Sequence, residues 1–307
     1  MHYFDCNASG IKGYSVALNR SGISMIHTHH DTNATTIYRD TLSQNNSLVW
    51  MYMPIDDGEV LVQIYKATGS GRAAIMVRAL LLLSGPSNHA QFVTNQGRCV
   101  RFGAFCSIPV ASIVGMYRPP KAPSRIFFDI SGETVRHFAF EDSQSQEHTF
   151  SPNLIPVGDP IEHFALEGQS QEQRSFFPGL RPVAKPPSSP NEEFFFSSCM
   201  MGGIVEITLC VDTSLPHRKI SGMLLKSSKN TACLGQFRFD MLQETIRINS
   251  GFYIITQMNA HGLWYVADAC LDPGQQYSKV NRIIHIESHG ILEWWFTGRR
   301  CLIRYHG

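Results

Sequence analysis

The feature that most constrains this chain is its punctuation. From residue 1 to about residue 130 it is a series of short runs rich in β-branched and aromatic residues: YSVALN, SLVWMYM, VLVQIYKA, RCVRFGAF and SRIFFDIS. Turn-forming clusters separate them, as in ALNRSG, PIDDGE, ATGSGR and YRPPKAP. No apolar stripe at helical period persists for three turns. Short alternating runs cut by Gly, Asn, Asp and Pro predict strands rather than helices. Residues 194–307 have the same texture in IVEITLCVD, KISGMLLKS, GQFRFDML, TIRINSGFYIIT, GLWYVADA and NRIIHIES. The closing ILEWWFTGRRCLIRYHG predicts a hairpin around Thr297-Gly298. Between these regions, residues 131–193 are rich in Gln, Ser, Glu and Pro. The prolines of RPVAKPPSSPNEE rule out a central strand and favour an extended, solvated connector.

The two β-rich regions also echo each other. FDCNASGI (4–11) parallels FSSCMMGGI (196–204), SGISMIH (21–27) parallels KISGMLL (219–225), and GRCVRFG (97–103) parallels GRRCLIRYHG (298–307). The order is shared, and the first-to-last spacing is 86 residues in one case and 94 in the other. A chain of 307 residues has room for two such units. The expectation is an all-β protein of two similar β-sandwich, jelly-roll-like lobes, residues 1–130 and 194–307, joined by the polar Gln/Pro-rich connector 131–193. Chance likeness between β-rich segments is the competing reading.

Composition narrows function mainly by exclusion. The net charge of +1 supplies no general pull toward nucleic acid or anionic lipid. Charged residues are 17% of the chain, below the roughly 25% usual for soluble domains. MHYFDCNASG has no basic and apolar leader pattern, and AAIMVRALLLL (73–83) is far short of a membrane span, reading instead as buried strand. The eight cysteines form no CxxC, and several sit among apolar neighbours, which suits free thiols in a reducing, cytoplasmic setting. Sequons begin at Asn7, Asn33 and Asn45 and would be idle there. Neither a P-loop, a GxGxxG after a strand, a GxSxG nor an HExxH is present, so no nucleotide or other cofactor is expected.

Four stretches carry candidate chemistry. In HTHHD, His27 and His29 would share one strand face, as two metal ligands often do, but no nearby Glu completes the set. Metal binding there is the weaker alternative to a polar strand end. In HIESH, strand alternation would project His285, Glu287 and His289 from one face, an arrangement suited to moving a proton near neutral pH. A solvent-facing strand is the favoured reading of the same pattern. GLWYVADA offers Trp264, Tyr265 and Asp268, and LEWWF offers Trp294 and Trp295. Each adjacent ring pair should place one ring inward and one outward, where it could stack on a ligand. Finally HFAFEDSQSQE (137–147) and HFALEGQSQE (163–172) nearly repeat. They predict two neighbouring strands, with His137 and His163 as ligand contacts if the pair lines a groove.

IVEITLCVD, KISGMLL, ACLGQFRFD and the GRCVRFG/GMY segments resemble poorly characterised tandem β-sandwich proteins of filamentous fungi. The resemblance touches both β-rich regions and leaves the connector uncovered. It implies either a sugar-binding, lectin-like protein or a cofactor-free cyclase or pericyclase of a natural-product pathway. The first expectation is the cyclase. It would hold a small apolar organic substrate between the lobes, with His285, Glu287 and Tyr265 in acid/base and orienting roles. Trp264, Trp294, Trp295, Asp268, His137 and His163 would contact the ligand. A non-enzymatic lectin is the alternative. Neither nucleic acid nor a membrane is an expected partner, and a homodimer is left open.

Overall fold

The computed structural model describes residues 2–19, 22–30, 35–38, 48–69, 88–104, 111–129, 135, 138–141, 182–183, 187, 192–214, 217–274 and 281–307. These residues are nearly all β. The run 73–83, the repeat partner 163–172 and most of the connector lie outside them.

A first set of strands runs β1 (His2–Cys6), β2 (Gly13–Asn19), β3 (Gly22–His29), β4 (Val49–Pro54), β5 (Leu61–Gly69), β6 (Asn88–Thr94), β7 (Cys99–Phe102), β8 (Ala111–Tyr117), β9 (Ser124–Phe128) and β10 (Phe138–Phe140). A second runs β11 (Phe195–Met200), β12 (Ile204–Asp212), β13 (Lys219–Ser227), β14 (Thr231–Gly235), β15 (Leu242–Arg247), β16 (Phe252–Met258), β17 (Trp264–Cys270), β18 (Arg282–Ile286), β19 (Ile291–Phe296) and β20 (Cys301–His306). The first set builds a seven-stranded sheet in the order β4-β2-β3-β6-β5-β8, with β7 added to β6, and a three-stranded sheet β1-β9-β10. The second builds β15-β12-β13-β17-β16-β18, with β14 added to β13, and β11-β19-β20. Apart from the added strands β7 and β14, one order maps onto the other. Because β10 pairs with β9, the first set continues past residue 130.

Finer details repeat as well. The β2–β3 hairpin shifts register between Ala17 and Leu18, and the β12–β13 hairpin shifts between Cys210 and Val211. The turn entering β2 closes with Ile11 N–H on Ala8 O, and the turn entering β12 with Ile204 N–H on Met201 O, both at 3.5 Å. Gly10 and Gly203, which precede those isoleucines, have φ of +81° and +75°. The echoes at 4–11 and at 21–27 therefore mark corresponding strands. The third echo does not. β7 is an added strand on β6, whereas β20 is the last strand of its small sheet and answers to β10. A shared Gly-Arg-Cys-apolar pattern makes a strand in both places without assigning it the same neighbour.

Burial shows how the sets meet. β2 is buried on both faces: Tyr14, Val16 and Leu18 enter the main core, while Ala17 packs on the opposite side with Tyr38, Trp50, Tyr52, Cys210, Phe237 and Phe239. That second cluster draws residues from both sets, so the two large sheets pack against each other through their outer faces. Backbone and ionic ties cross the same junction. Phe237 N–H donates to Trp50 O at 3.0 Å, and Thr231 N–H donates to Asp56 Oδ2 at 3.0 Å. The Arg98 guanidinium bonds Asp56, Glu59 and the Thr231 carbonyl. Among the described residues no helix is long and apolar enough to cross a membrane.

Candidate functional site

The strongest chemical cluster sits on the outer face of the first large sheet, where the second sheet covers it. Its members arise from strand alternation. On β3, positions 27 and 29 point the same way, and the imidazole centroids of His27 and His29 lie 4.7 Å apart, nearly perpendicular. On β4, Trp50 and Tyr52 share that face; Ser15 and Ala17 share it on β2. The register puts Ser15 beside both His27 and Tyr52. Gly13 opens the next row: a Cβ there would lie 2.4 Å from the Tyr52 hydroxyl. Its missing side chain lets the Tyr52 ring cross the strand and donate to Lys12 O at 2.6 Å.

Three polar side chains close a triangle. His29 Nε2 is 2.8 Å from Ser15 Oγ, Ser15 Oγ is 3.0 Å from Tyr38 Oη, and Tyr38 Oη is 3.4 Å from His29 Nε2. His29 and Tyr38 have no exposed surface. Burial, helped by His27 and His30, holds the His29 imidazole neutral, its pKa lowered to about 3. Burial likewise lowers His27 and raises the Tyr38 phenol to about 12. The walls are aromatic. Phe239 stands 4.6 Å from the His29 ring, Tyr52 5.8 Å from it, and Trp50 4.8 Å from the Tyr38 ring. Arg238, paired with Asp240 at 2.6 Å, lies 5.3 Å over the Tyr38 ring. Chemically this is a dry, uncharged imidazole beside two hydroxyls, ringed by π faces.

Sequence reasoning paired His27 and His29 but read them as a polar strand end, with metal binding the weaker alternative, and it missed Ser15, Tyr38, Trp50 and Tyr52. The alternation of SLVWMYM held a usable signal, since it predicts that Trp50 and Tyr52 share a face. Among the described residues no group of three or more His, Cys, Asp or Glu side chains is placed to hold a metal ion.

The other predicted residues are dispersed. β18 ends at Ile286, so His285 lies on the strand while Glu287 and His289 belong to the following turn, where they pair at 3.2 Å in the open. His285 is exposed and stacks on Tyr253 at 4.7 Å. Tyr265 is buried and donates to Gln257 at 2.9 Å. On the intervening β16, Gln257 pairs with Tyr265 and Tyr253 with His285. That register separates Tyr265 from His285 by on the order of 15 Å. Trp294 and Trp295 do face opposite ways, but each is 0% exposed. Trp294 fills the main core, and Trp295 packs with Phe194, Phe196 and Leu302 on the far face. The expected outward ring is therefore covered. Trp264 and Asp268 are half-buried, and Asp268 accepts the Ala269 N–H at 2.9 Å. His137 and His163 lie outside the described residues.

A second, open feature is a groove of about 200 Å³ between residues 7–12 and 55–61. Asn7 clamps its base, donating to Leu61 O at 2.9 Å and Pro120 O at 2.8 Å and accepting from Leu61 N at 2.7 Å. The amide of this sequon is thus fully engaged. No protein family matches the chain, and neither does any curated protein.

Proposed function

We propose that the chain is a cofactor-independent cyclase or isomerase. It acts on an apolar, natural-product-like molecule at the junction of two related β-sandwich, jelly-roll-like lobes, in the cytoplasm. The observation that carries this reading is the His29–Ser15–Tyr38 triangle sealed by aromatic rings from both strand sets. An imidazole lowered to about 3 stays neutral and weakly basic, so it holds a substrate group by hydrogen bonding rather than by taking its proton. A phenol raised to about 12 stays protonated and serves as a fixed hydrogen-bond donor. The faces of Trp50, Tyr52 and Phe239 can steady developing positive charge on a carbon skeleton. In so dry a setting, holding one reactive conformer supplies much of the rate. The likeness to fungal tandem β-sandwich proteins suggests the substrate class. This reading moves the site from His285, Glu287 and Tyr265 to His29 and its hydroxyl partners, which orient the substrate rather than exchange protons with it.

The test exploits conservation of mass. Purified protein is incubated with a panel of linear polyenes, polyprenyl epoxides and diene–dienophile chains, and products are separated by chromatography with mass detection. The expected result is an isomer of unchanged mass from the natural chain, absent with His29→Phe. Saturable binding on a glycan array, with no isomer formed across the panel, would replace the cyclase with a lectin.

A further inference from the structure

Among the described residues, three buried side-chain nitrogens of this one cluster have no hydrogen-bond partner: His27 Nε2, His29 Nδ1 and Trp50 Nε1. A buried polar atom left unpaired costs about 1–3 kcal/mol, and such atoms in a fold call for an explanation. The two imidazole atoms are the informative ones. They belong to neighbouring rings 4.7 Å apart on a single strand face. The far nitrogen of His29 is already committed to Ser15, which fixes the ring and leaves Nδ1 directed away from the triangle. His29 has no exposed surface, while His27 is half-buried.

From this we infer that the substrate is an apolar molecule carrying a hydroxyl group — an alcohol, phenol or enol — whose oxygen bridges His27 Nε2 and His29 Nδ1. The inference rests on the junction being the ligand site proposed above. A neutral imidazole presents either a donor or an acceptor at a given nitrogen, depending on its tautomer. A hydroxyl is the one common oxygen function that both donates and accepts, so it satisfies one donor and one acceptor together. An ether or carbonyl oxygen only accepts, and a hydrocarbon leaves both atoms unpaired. The aromatic walls set the rest of the molecule's character, and Arg238, the described cation over the Tyr38 ring, is already paired with Asp240, which disfavours a carboxylate or phosphate.

Isothermal titration with 1-naphthol, 1-methoxynaphthalene and naphthalene tests this on the full chain. The expected result is that naphthol binds at least about 10-fold more tightly than the other two, one good hydrogen bond's worth. In His27→Phe, which keeps a ring in place, that ratio should fall to about one while naphthalene affinity stays the same. Thermal unfolding of the variant confirms that it folds, and His27→Gln, which keeps a polar tip, should restore part of the preference. Equal binding of all three probes by the natural chain overturns the inference while leaving the apolar site standing. A naphthol preference that survives His27→Phe overturns it too, because the hydroxyl then sits elsewhere. Failure of all three probes to bind overturns the junction as a ligand site and the inference with it.

Discussion

Ala17 and Cys210 occupy the same place in the two strand sets. Each stands immediately before the register shift of its hairpin, and the two meet in the one aromatic cluster that joins the large sheets. Both side chains are small and fully buried. Their size sets how closely the sheets approach, much as small residues permit close packing wherever two surfaces interdigitate. Ala17→Leu should therefore wedge the sheets apart and cost about 1–3 kcal/mol. Cys210→Ala, which removes only the Sγ that accepts the Arg238 N–H at 3.3 Å, should cost about 1 kcal/mol. Urea unfolding of the two variants checks the order.

His29 makes stability depend on pH in one direction. Its folded value is lowered to about 3 from an ordinary 6.5. Over that interval the unfolded chain carries a proton that the folded imidazole refuses. The unfolded state binds more protons there, so stability climbs with pH between those values and levels off above the upper one. Burial of His27 adds a contribution of the same sign. The groups facing His29 are His27 from its own strand, His30 just beyond that strand's end, Tyr38 and Tyr52 from the first set, and the Arg238–Asp240 pair from the second. His29→Phe should flatten the rise in urea midpoint between about pH 4 and 7 by close to one proton's slope. An unchanged slope would mean that His29 is not the group responsible.

The triangle should act as a unit. Ser15→Ala leaves His29 Nε2 with only the longer Tyr38 contact at 3.4 Å, and should cost about 1–3 kcal/mol. Tyr38→Phe removes a hydroxyl bonded to Ser15 at 3.0 Å and should cost a similar amount. The double variant should cost clearly less than the two combined, since the second change removes a group the first had already orphaned. A double-mutant cycle on unfolding free energies reads this coupling. Additive losses would dissolve the triangle into independent contacts.

Arg98 reaches the second strand set through the Thr231 carbonyl, while its ion pairs with Asp56 and Glu59 stay within the first. Its Nε lies 2.9 Å from Glu59 Oε1, a carboxylate with a fully buried side chain that also accepts from Thr94 Oγ1 and Asp56 N. Arg98→Ala leaves that carboxylate unmatched and should cost about 3–5 kcal/mol. Arg98→Met with Glu59→Gln removes both charges and should recover much of the loss. Thermal unfolding separates the two outcomes.

How much of this was legible in the sequence follows from which forces are local. Strand existence was legible, because period-two alternation and turn residues act over a few positions; the hairpin at Thr297 closes with Thr297 N–H on Arg300 O at 2.9 Å. The shared strand order was legible in the entry to β2 and β12 and in the start of β3 and β13. Which faces meet water was not. Ser15 and Ala17 alternate with larger apolar residues, and nothing in that local pattern signals the second sheet that buries them. The same holds for Trp294 and Trp295, whose opposite orientations were foreseen but whose double burial depends on what covers each face. His27 and His29 could be paired from spacing alone, whereas Ser15 and Tyr38 come from other elements and join them only in the fold. HIESH misled because the strand stops at Ile286, a boundary set by the tight turn at Gly290.

Glycine offers a final contrast, in which conformation and crowding can be told apart. Gly58 and Gly235 have nearly the same backbone, with φ of +73° and +76°. An added Cβ at 58 meets nothing within 4 Å. At 235 it would lie 2.5 Å from the Ser221 carbonyl oxygen, 2.9 Å from Gly222 Cα and 3.0 Å from the Trp294 ring. Gly222 and Gly235 are cross-strand partners, and the bare backbone of Gly235 lies against the Trp294 ring. Gly58→Ala should then cost only the left-handed penalty of about 1–2 kcal/mol. Gly235→Ala should cost that plus a packing penalty of about 1–3 kcal/mol, because backbone atoms cannot swing aside as a side chain can. It should also shift the Trp294 near-ultraviolet circular dichroism, which Gly58→Ala leaves alone. Equal losses at the two sites would show that φ alone governs both, and that Trp294 does not depend on the glycine pair beneath it.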